Sequence, residues 1–257
     1  MNEYKYMEVL VNELPNVFRN EIRLKNHLRF LYKNPEVEWF NVLSILLCLP
    51  EATDVCSLDM FKKRYNQEVG IKDTADSELP ILVPAYQNGI FWTIKSVYDV
   101  SQLKSVTPSK KESKLKQMVN SISIAELEKE IGEQWIKKLY QHILNMVNIC
   151  SPNAMIQSFI VECVTSVINE ELLGIVKPID LSLLDSYQGN FIDIIVAIKT
   201  ILDSLPNDLQ TLYDEEKKNR YQKEMINSAT RIGNMNIRQL MQEAKRIKVE
   251  ADKRNDK

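Results

Sequence analysis

The chain has 257 residues, of which 44% are hydrophobic and 26% charged, and this ordinary globular composition argues against disorder of the whole chain. The formal net charge of -2 lacks the lopsided balance that nucleic-acid or membrane partners usually impose. Only six glycines are present, which indicates few turns and many helices.

No targeting or membrane segment is evident in the sequence. Residues 1–18 are amphipathic and carry acidic side chains, which does not match a secretory signal peptide. The longest apolar stretches, 42–49 and 192–198, are far shorter than the roughly 20 residues that cross a membrane. We therefore expect a protein of the cytoplasm, or of a virion or other assembly, that is neither secreted nor transmembrane.

Residues 1–101 predict an N-terminal helical domain that ends in one β-hairpin. Apolar residues at helical spacing, with caps and breakers between them, predict four helices, over about 4–19, 21–32, 35–49 and 58–69. Pro15 is a candidate break in the first helix, Pro35 can start the third, and Gly70 can end the fourth.

The hairpin is predicted over residues 79–98. Segments 79–86 and 90–98 are rich in β-branched and aromatic residues, and the Asn88-Gly89 dipeptide between them favours a tight turn. Pro80 and Pro84 cannot donate to a ladder, so the first strand is expected at the edge of its sheet.

Residues 102–117 have the Ser/Lys-rich composition of a solvated linker, and the helical pattern resumes after them. Residues 118–205 predict a helical bundle. Its first helix starts at a Ser123–Glu126 capping box and continues to about 149. Further helices are predicted over 152–173, from Asp180 or Ser182 to 187, and over 191–205, where Pro206 ends the last one.

Residues 206–257 predict a charged C-terminal helical arm, in which basic residues outnumber acidic ones from 214 onward. Its apolar residues fall at helical spacing in two pieces, and Gly233 to Asn236 can end one helix and cap the next. We predict that this arm contacts a partner or another copy of the chain through six apolar side chains: Met225, Ile232, Met235, Leu240, Met241 and Ile247.

Residues that could support catalysis are sparse. The two histidines, His27 and His142, are each expected at the surface or at the edge of the core. The glutamates of 126–133 and of 170–171 are expected on solvated helix faces. The four cysteines are scattered without a CxxC pair and are expected to be reduced core thiols: Cys48, Cys56, Cys150 and Cys163. No catalytic, cofactor-binding or metal-binding residue is assigned, and no small-molecule substrate is evident.

Two functional hypotheses follow. The first is a non-enzymatic interaction or scaffolding protein, such as a component of a viral or other multi-protein assembly, that uses its C-terminal amphipathic helices. The alternative is a nucleic-acid-binding regulator, because helices followed by a hairpin resemble the order of a winged helix. In that case Lys62, Lys63 and Arg64 would contact phosphates and the hairpin would act as the wing.

Overall fold

The computed structural model describes residues 3–66, 68–72, 78–86, 90–104, 106, 112–132, 134–151, 153–185, 187–235, 239, 241–243 and 245–247. The chain is mainly α-helical with a small antiparallel sheet, as the sequence predicts. The helices are α1 (Glu3–Phe18), α2 (Glu21–Lys33), α3 (Trp39–Cys48), α4 (Leu58–Tyr65), α5 (Lys114–Ile122), α6 (Ile124–Ile131), α7 (Trp135–Cys150), α8 (Ala154–Leu173) and α9 (Phe191–Gly233). The strands are β1 (Val55–Cys56), β2 (Leu79–Tyr86) and β3 (Ile90–Asp99), and short 3₁₀ turns cover Val100–Gln102 and Leu181–Leu184.

The N-terminal helices follow the prediction except at some of their ends. Helix α1 continues through Pro15 without a break. Helix α3 begins at Trp39, so the start predicted at Pro35 is wrong, and Pro35 lies in the turn before it. Helix α4 ends earlier than predicted because Asn66 adopts the left-handed conformation (φ 51°), which asparagine tolerates and which terminates a helix.

The hairpin is confirmed, with β2 paired antiparallel to β3, while the Asn88-Gly89 turn lies outside the described residues. The sheet order is β1-β3-β2, which places β2 at an edge as expected. The N–H and C=O of Leu82 bond to the Asn41 side chain of α3 at 2.7 and 2.8 Å and so point away from β3. The backbone N–H and C=O groups of alternate residues in a strand point to the same edge. Pro80 and Pro84 alternate with Leu82, so the N–H groups that they lack would have pointed to this outer edge and not to β3.

The helix predicted over 123–149 is wrong, because two helices occupy that range. Gly132 adopts φ 100° between α6 and α7 and separates them. The Ser123 hydroxyl accepts from the Glu126 N–H at 3.2 Å, which confirms one half of the capping box. The N–H of Ser123 donates instead to Val119 at the end of α5. Helix α5 itself begins at Lys114, inside the stretch predicted as linker.

The longest element corrects the C-terminal prediction. Helix α9 has 43 residues and contains Pro206, so the helix end predicted at that proline is wrong. Leu205 and Leu209 on either side of the proline are fully buried, and their packing holds the chain helical through it. The segment predicted to become a short helix after Asp180 is a 3₁₀ turn.

One hydrophobic core joins the helices of both halves of the chain. It includes Leu28 of α2, Leu139 of α7, Phe159 of α8 and Ile198 of α9, all nearly inaccessible to solvent. A small satellite core under α4 is formed by Phe61, Val69, Tyr98, Val100 and Leu103. Within the described residues no helix is both long and apolar enough to cross a membrane.

Candidate interaction surface

The distal part of α9 leaves the body of the protein. Among the α9 side chains that the structure describes, Tyr213 is the last buried one, at 7% exposure. From here on we restrict the term arm to residues 214–231. Every residue of the arm is exposed except Glu216 and Arg220, which are half-buried. At about 1.5 Å per residue, the arm extends for roughly 27 Å beyond the last core contact.

Polar contacts with α6 hold the root of the arm, by which we mean residues 208–220 of α9. The Arg220 guanidinium lies 2.6 Å from the fully buried carboxylate of Glu130. The hydroxyl of Tyr213 donates to Glu126 and accepts from the Lys217 ammonium, both at 3.2 Å. The contact with Tyr213 raises the pKa of Lys217. The expectation that all glutamates of 126–133 are solvated is thus wrong for Glu130, which faces α9 instead.

Helix α7 holds the same root from a second side. The Lys138 ammonium donates to Glu216 at 2.7 Å, and His142 Nε2 lies 3.0 Å from an Asp208 oxygen. His142 is half-exposed at the edge of the core, as predicted. Helices α6 and α7 both contact α9 at residues up to 220. These contacts orient the helix at the point where the arm leaves the rest of the protein.

An apolar stripe runs along the arm beyond this root. Met225 is 57% exposed, and its contact with a partner stays a prediction. Tyr221 lies one turn before it, and Ile226 beside it, each more than 60% exposed. Neither was predicted, although the spacing of four residues between Tyr221 and Met225 is a helical-face signal that was available.

The chain turns after the arm. Helix α9 ends at Gly233, followed by a turn at Asn234, as expected for this pair, while Asn236 lies outside the described residues. Glu243 forms ion pairs with Arg231 and, at 2.7 Å, with Arg246. Its hydrogen bonds to Arg246 lower the pKa of the Glu243 carboxyl. Twelve residues of a straight helix span about 18 Å, so the Arg231–Glu243 contact requires the chain to fold back.

Three of the other predicted contact residues lie in the described part of the chain after α9. Met241 and Ile247 are exposed, and Met235 is partly buried. The side chains of Ile232 and Leu240 lie outside the described residues. Exposed apolar groups therefore continue from the arm into the segment that follows it.

The basic cluster of the alternative hypothesis lies in the last turn of α4. Lys62 forms an ion pair with Glu68 at 2.9 Å, which raises the pKa of its ammonium. Arg64 forms an ion pair with Asp54 and stacks over the Phe61 ring. The third member, Lys63, is exposed. Two of the three cations are thus paired with carboxylates of the same chain.

Other candidate residues are placed as follows. Cys163 is buried and Cys48 is exposed, so the expectation of four core thiols is wrong for Cys48. His27 is 1% exposed, so the expectation of a histidine at the surface or at the edge of the core is wrong there. Among the described residues no group of three or more histidine, cysteine, aspartate or glutamate side chains is arranged to hold a metal ion.

Comparisons with protein-family models, with curated proteins and with solved structures found no match.

Proposed function

We propose that this chain is a non-enzymatic interaction protein, a component of a multi-protein assembly, whose C-terminal arm docks into an apolar groove of another protein. The observation that carries the proposal is the exposure of every residue over 221–231, including Tyr221, Met225 and Ile226.

The physical argument begins with the stability of the arm. A helix that is exposed all round gains nothing from tertiary packing, and an isolated helix of this length is marginal in water. A partner that covers one face would supply the missing stabilisation. The contacts of Glu130 and Tyr213 at the root would hold the helix in place for docking, which lowers the entropy lost on binding.

The spacing of the apolar residues supports a particular mode of docking. Tyr221 and Met225 lie four residues apart, and Ala229 continues the row at the same interval. This is the arrangement by which amphipathic helices anchor in hydrophobic grooves. A tyrosine and a methionine are also side chains that contribute strongly and adaptably to interfaces.

Charges beside the stripe define the chemistry of the partner. Lys218 lies one turn before Tyr221 on the face of the stripe, and over residues 217–231 the arm carries five basic residues and one acidic residue, Glu224. A groove with an apolar floor and acidic residues along its rim would complement them and would exclude grooves with basic rims. We therefore commit to an acidic-rimmed protein groove as the occupant, in preference to a second copy of this chain.

Nucleic-acid binding is the weaker proposal. It depends on Lys62, Lys63 and Arg64, and the pairing of Lys62 with Glu68 and of Arg64 with Asp54 reduces the charge available to phosphates.

The test compares two substitutions on opposite faces of the arm. Met225→Glu places a charge in the stripe, whereas Asn227→Glu places the same charge about 160° away around the helix, on an equally exposed residue. A photo-crosslinking residue at 221 is used in cells to capture the neighbouring chain, which is then purified and titrated against the full-length protein. We expect at least tenfold weaker binding for Met225→Glu, and less than twofold change for Asn227→Glu.

Two outcomes would overturn the proposal. Equal effects of the two substitutions on affinity would mean that the stripe is not the contact. A wild-type mass in light scattering that corresponds to an oligomer, reduced to a monomer by Met225→Glu, would identify the occupant as a second copy and reject the acidic-rimmed partner.

A further inference from the structure

Strand β3 has an outer edge that β2 does not use. Ile94 lies opposite Leu82, whose N–H and C=O point away from β3 and bond to Asn41. Two residues that lie opposite each other in an antiparallel pair either bond to each other or both point their backbone groups away. The N–H and C=O of Ile94, and by alternation those of Trp92 and Ser96, therefore point to the outer edge of β3.

Most of this outer edge is open. Strand β1 pairs with it only beyond Ser96, at Tyr98 and Asp99. From Ile90 to Ser96 no strand in the described part of the chain pairs with it. At about 3.4 Å per residue, this open stretch is about 20 Å long, the length of an ordinary β-strand.

The two edges of the sheet differ in their protection. On β2, Asn41 bonds to outward backbone groups, and Pro80 and Pro84 have no N–H to offer. On β3, residues 90–96 contain no proline and a single charge, Lys95. Proteins usually block an edge strand with prolines or charges, because unpaired N–H and C=O groups are a template for a further strand. The edge of β3 thus retains the features of a pairing site.

Apolar side chains accompany the open backbone groups. Trp92 is 40% exposed and Ile94 is 39% exposed, and as alternate residues they lie on the same face of the sheet. A strand added to this edge would cover part of both side chains.

The limits of the open edge favour a second copy of the same strand as its occupant. The stretch from Ile90 to Ser96 has Thr93 at its centre. An antiparallel copy uses the whole stretch when Thr93 lies opposite Thr93 of the copy. The outward backbone groups of Trp92 then meet those of Ile94 of the copy, and the reverse pair forms across the two-fold axis. Aromatic with β-branched and Thr with Thr are favourable cross-strand pairs, and this register opposes no like charges.

We infer that two copies of this chain associate through the outer edges of their β3 strands, which form one continuous antiparallel sheet around a two-fold axis at Thr93. The contact does not involve the arm and does not depend on the function proposed for it.

The first test is the mass of the purified full-length protein over a concentration series, measured by sedimentation equilibrium. We expect a monomer–dimer equilibrium. Ile94→Lys places a charge beside Trp92 of the copy and is expected to weaken the dimer at least about tenfold. Ile22→Lys makes the same substitution on α2, at a side chain that is 73% exposed, and is expected to change the affinity less than about twofold. Met225→Glu on the arm should likewise leave the dimer intact.

A cross-link tests the register. Thr93→Cys places two thiols at a position where opposite Cα atoms lie about 4.5 Å apart, which a disulfide can span. Lys95→Cys is the control, because Lys95 and its copy are offset by four residues, or about 13 Å. Mild oxidation is expected to link Thr93→Cys into a covalent dimer and to give Lys95→Cys only the background of the wild-type cysteines.

Several results would overturn the inference. A monomeric mass at every concentration would do so, whether the edge then stays open or binds an extended segment of another protein. A dimer that Met225→Glu dissociates and Ile94→Lys does not would place the contact on the arm instead. If Ile94→Lys fails to fold, amide exchange of the wild-type protein decides: exchange at Trp92 and Ile94 must slow as the concentration rises, whereas Thr93, which faces β2, stays protected throughout.

Discussion

The guanidinium of Arg220 on α9 lies 2.6 Å from the carboxylate of Glu130 on α6, and the glutamate side chain is fully buried. Lys129 approaches the same carboxylate to 3.6 Å but remains largely exposed. Arg220 is thus the only described residue of α9 that forms an ion pair with this buried charge. The pair lies where α9 leaves the core, so the arm cannot move away from α6 without separating Arg220 from this buried carboxylate.

Arg220→Ala is expected to destabilise the protein by about 2 kcal/mol. Removing one partner of a fully buried pair typically costs about 3–5 kcal/mol, and we reduce this because Arg220 is partly solvated and Lys129 remains nearby. The measurement is the free energy of unfolding in urea, together with hydrogen exchange of the amides in the arm, which should become faster.

A double substitution separates the charge from the packing. Glu130→Gln with Arg220→Ala leaves an amide instead of an unpaired carboxylate, so it is expected to be more stable than Arg220→Ala alone. Lys218→Ala, at an exposed position of the same helix, serves as the control and is expected to change the free energy of unfolding by less than about 0.5 kcal/mol. A double variant no more stable than Arg220→Ala would contradict the role given to the charge.

Much of the helical architecture could be predicted because it depends on local patterns. The cap at Ser123 and the helix end at Gly233 lie in the sequence next to the helices they delimit. The rule that a proline ends a helix gives a wrong prediction at Pro206, because the burial of neighbouring apolar residues competes with it. The apolar residues on both sides of that proline are inside the core, and their packing exceeds the cost of the lost hydrogen bond, which is about 3 kcal/mol.

The candidate surface was predictable in part for the same reason. The apolar row that includes Met225 follows from helical spacing, which the sequence alone displays, whereas its exposure does not, because such a row could equally pack against the rest of the protein. The burial of Glu130 and His27 does not, because each depends on a distant helix that packs over it. A glutamate or histidine in a helix has the same local pattern whether it faces solvent or a neighbour, so only tertiary structure distinguishes the two.

The edge of the sheet provides a second prediction. Asn41 of α3 satisfies both backbone groups of Leu82, and its side chain is largely buried. Asn41→Ala would leave a buried N–H and C=O without partners, so we expect a loss of about 2–4 kcal/mol in the free energy of unfolding. Hydrogen exchange at the Leu82 amide should accelerate more than at the amides of β3.

The control for this substitution is Asn148→Ala, because Asn148 is also in a helix but is exposed. Alanine has the higher helix propensity, so this control should be neutral or slightly stabilising. Equal effects of the two substitutions would show that the Asn41 contact adds no stability to the edge strand.

The pH dependence of stability tests the burial of His27. Its pKa is about 3 in the folded protein against 6.5 for an ordinary histidine, because burial disfavours the charged ring. Above about pH 6.5 the ring is neutral in both states and its contribution to stability is complete. As the pH falls from about 6.5 toward about 3, the unfolded state takes up a proton that the folded state does not, so stability decreases by up to about 1.4 kcal/mol per pH unit.

Between about pH 7 and about pH 5 the wild-type protein should therefore lose about 2 kcal/mol more than His27→Leu, as measured by urea unfolding at each pH. Carboxylates titrate alike in the two proteins, so the difference isolates this imidazole, and parallel losses would mean that the ring is hydrated in the folded state.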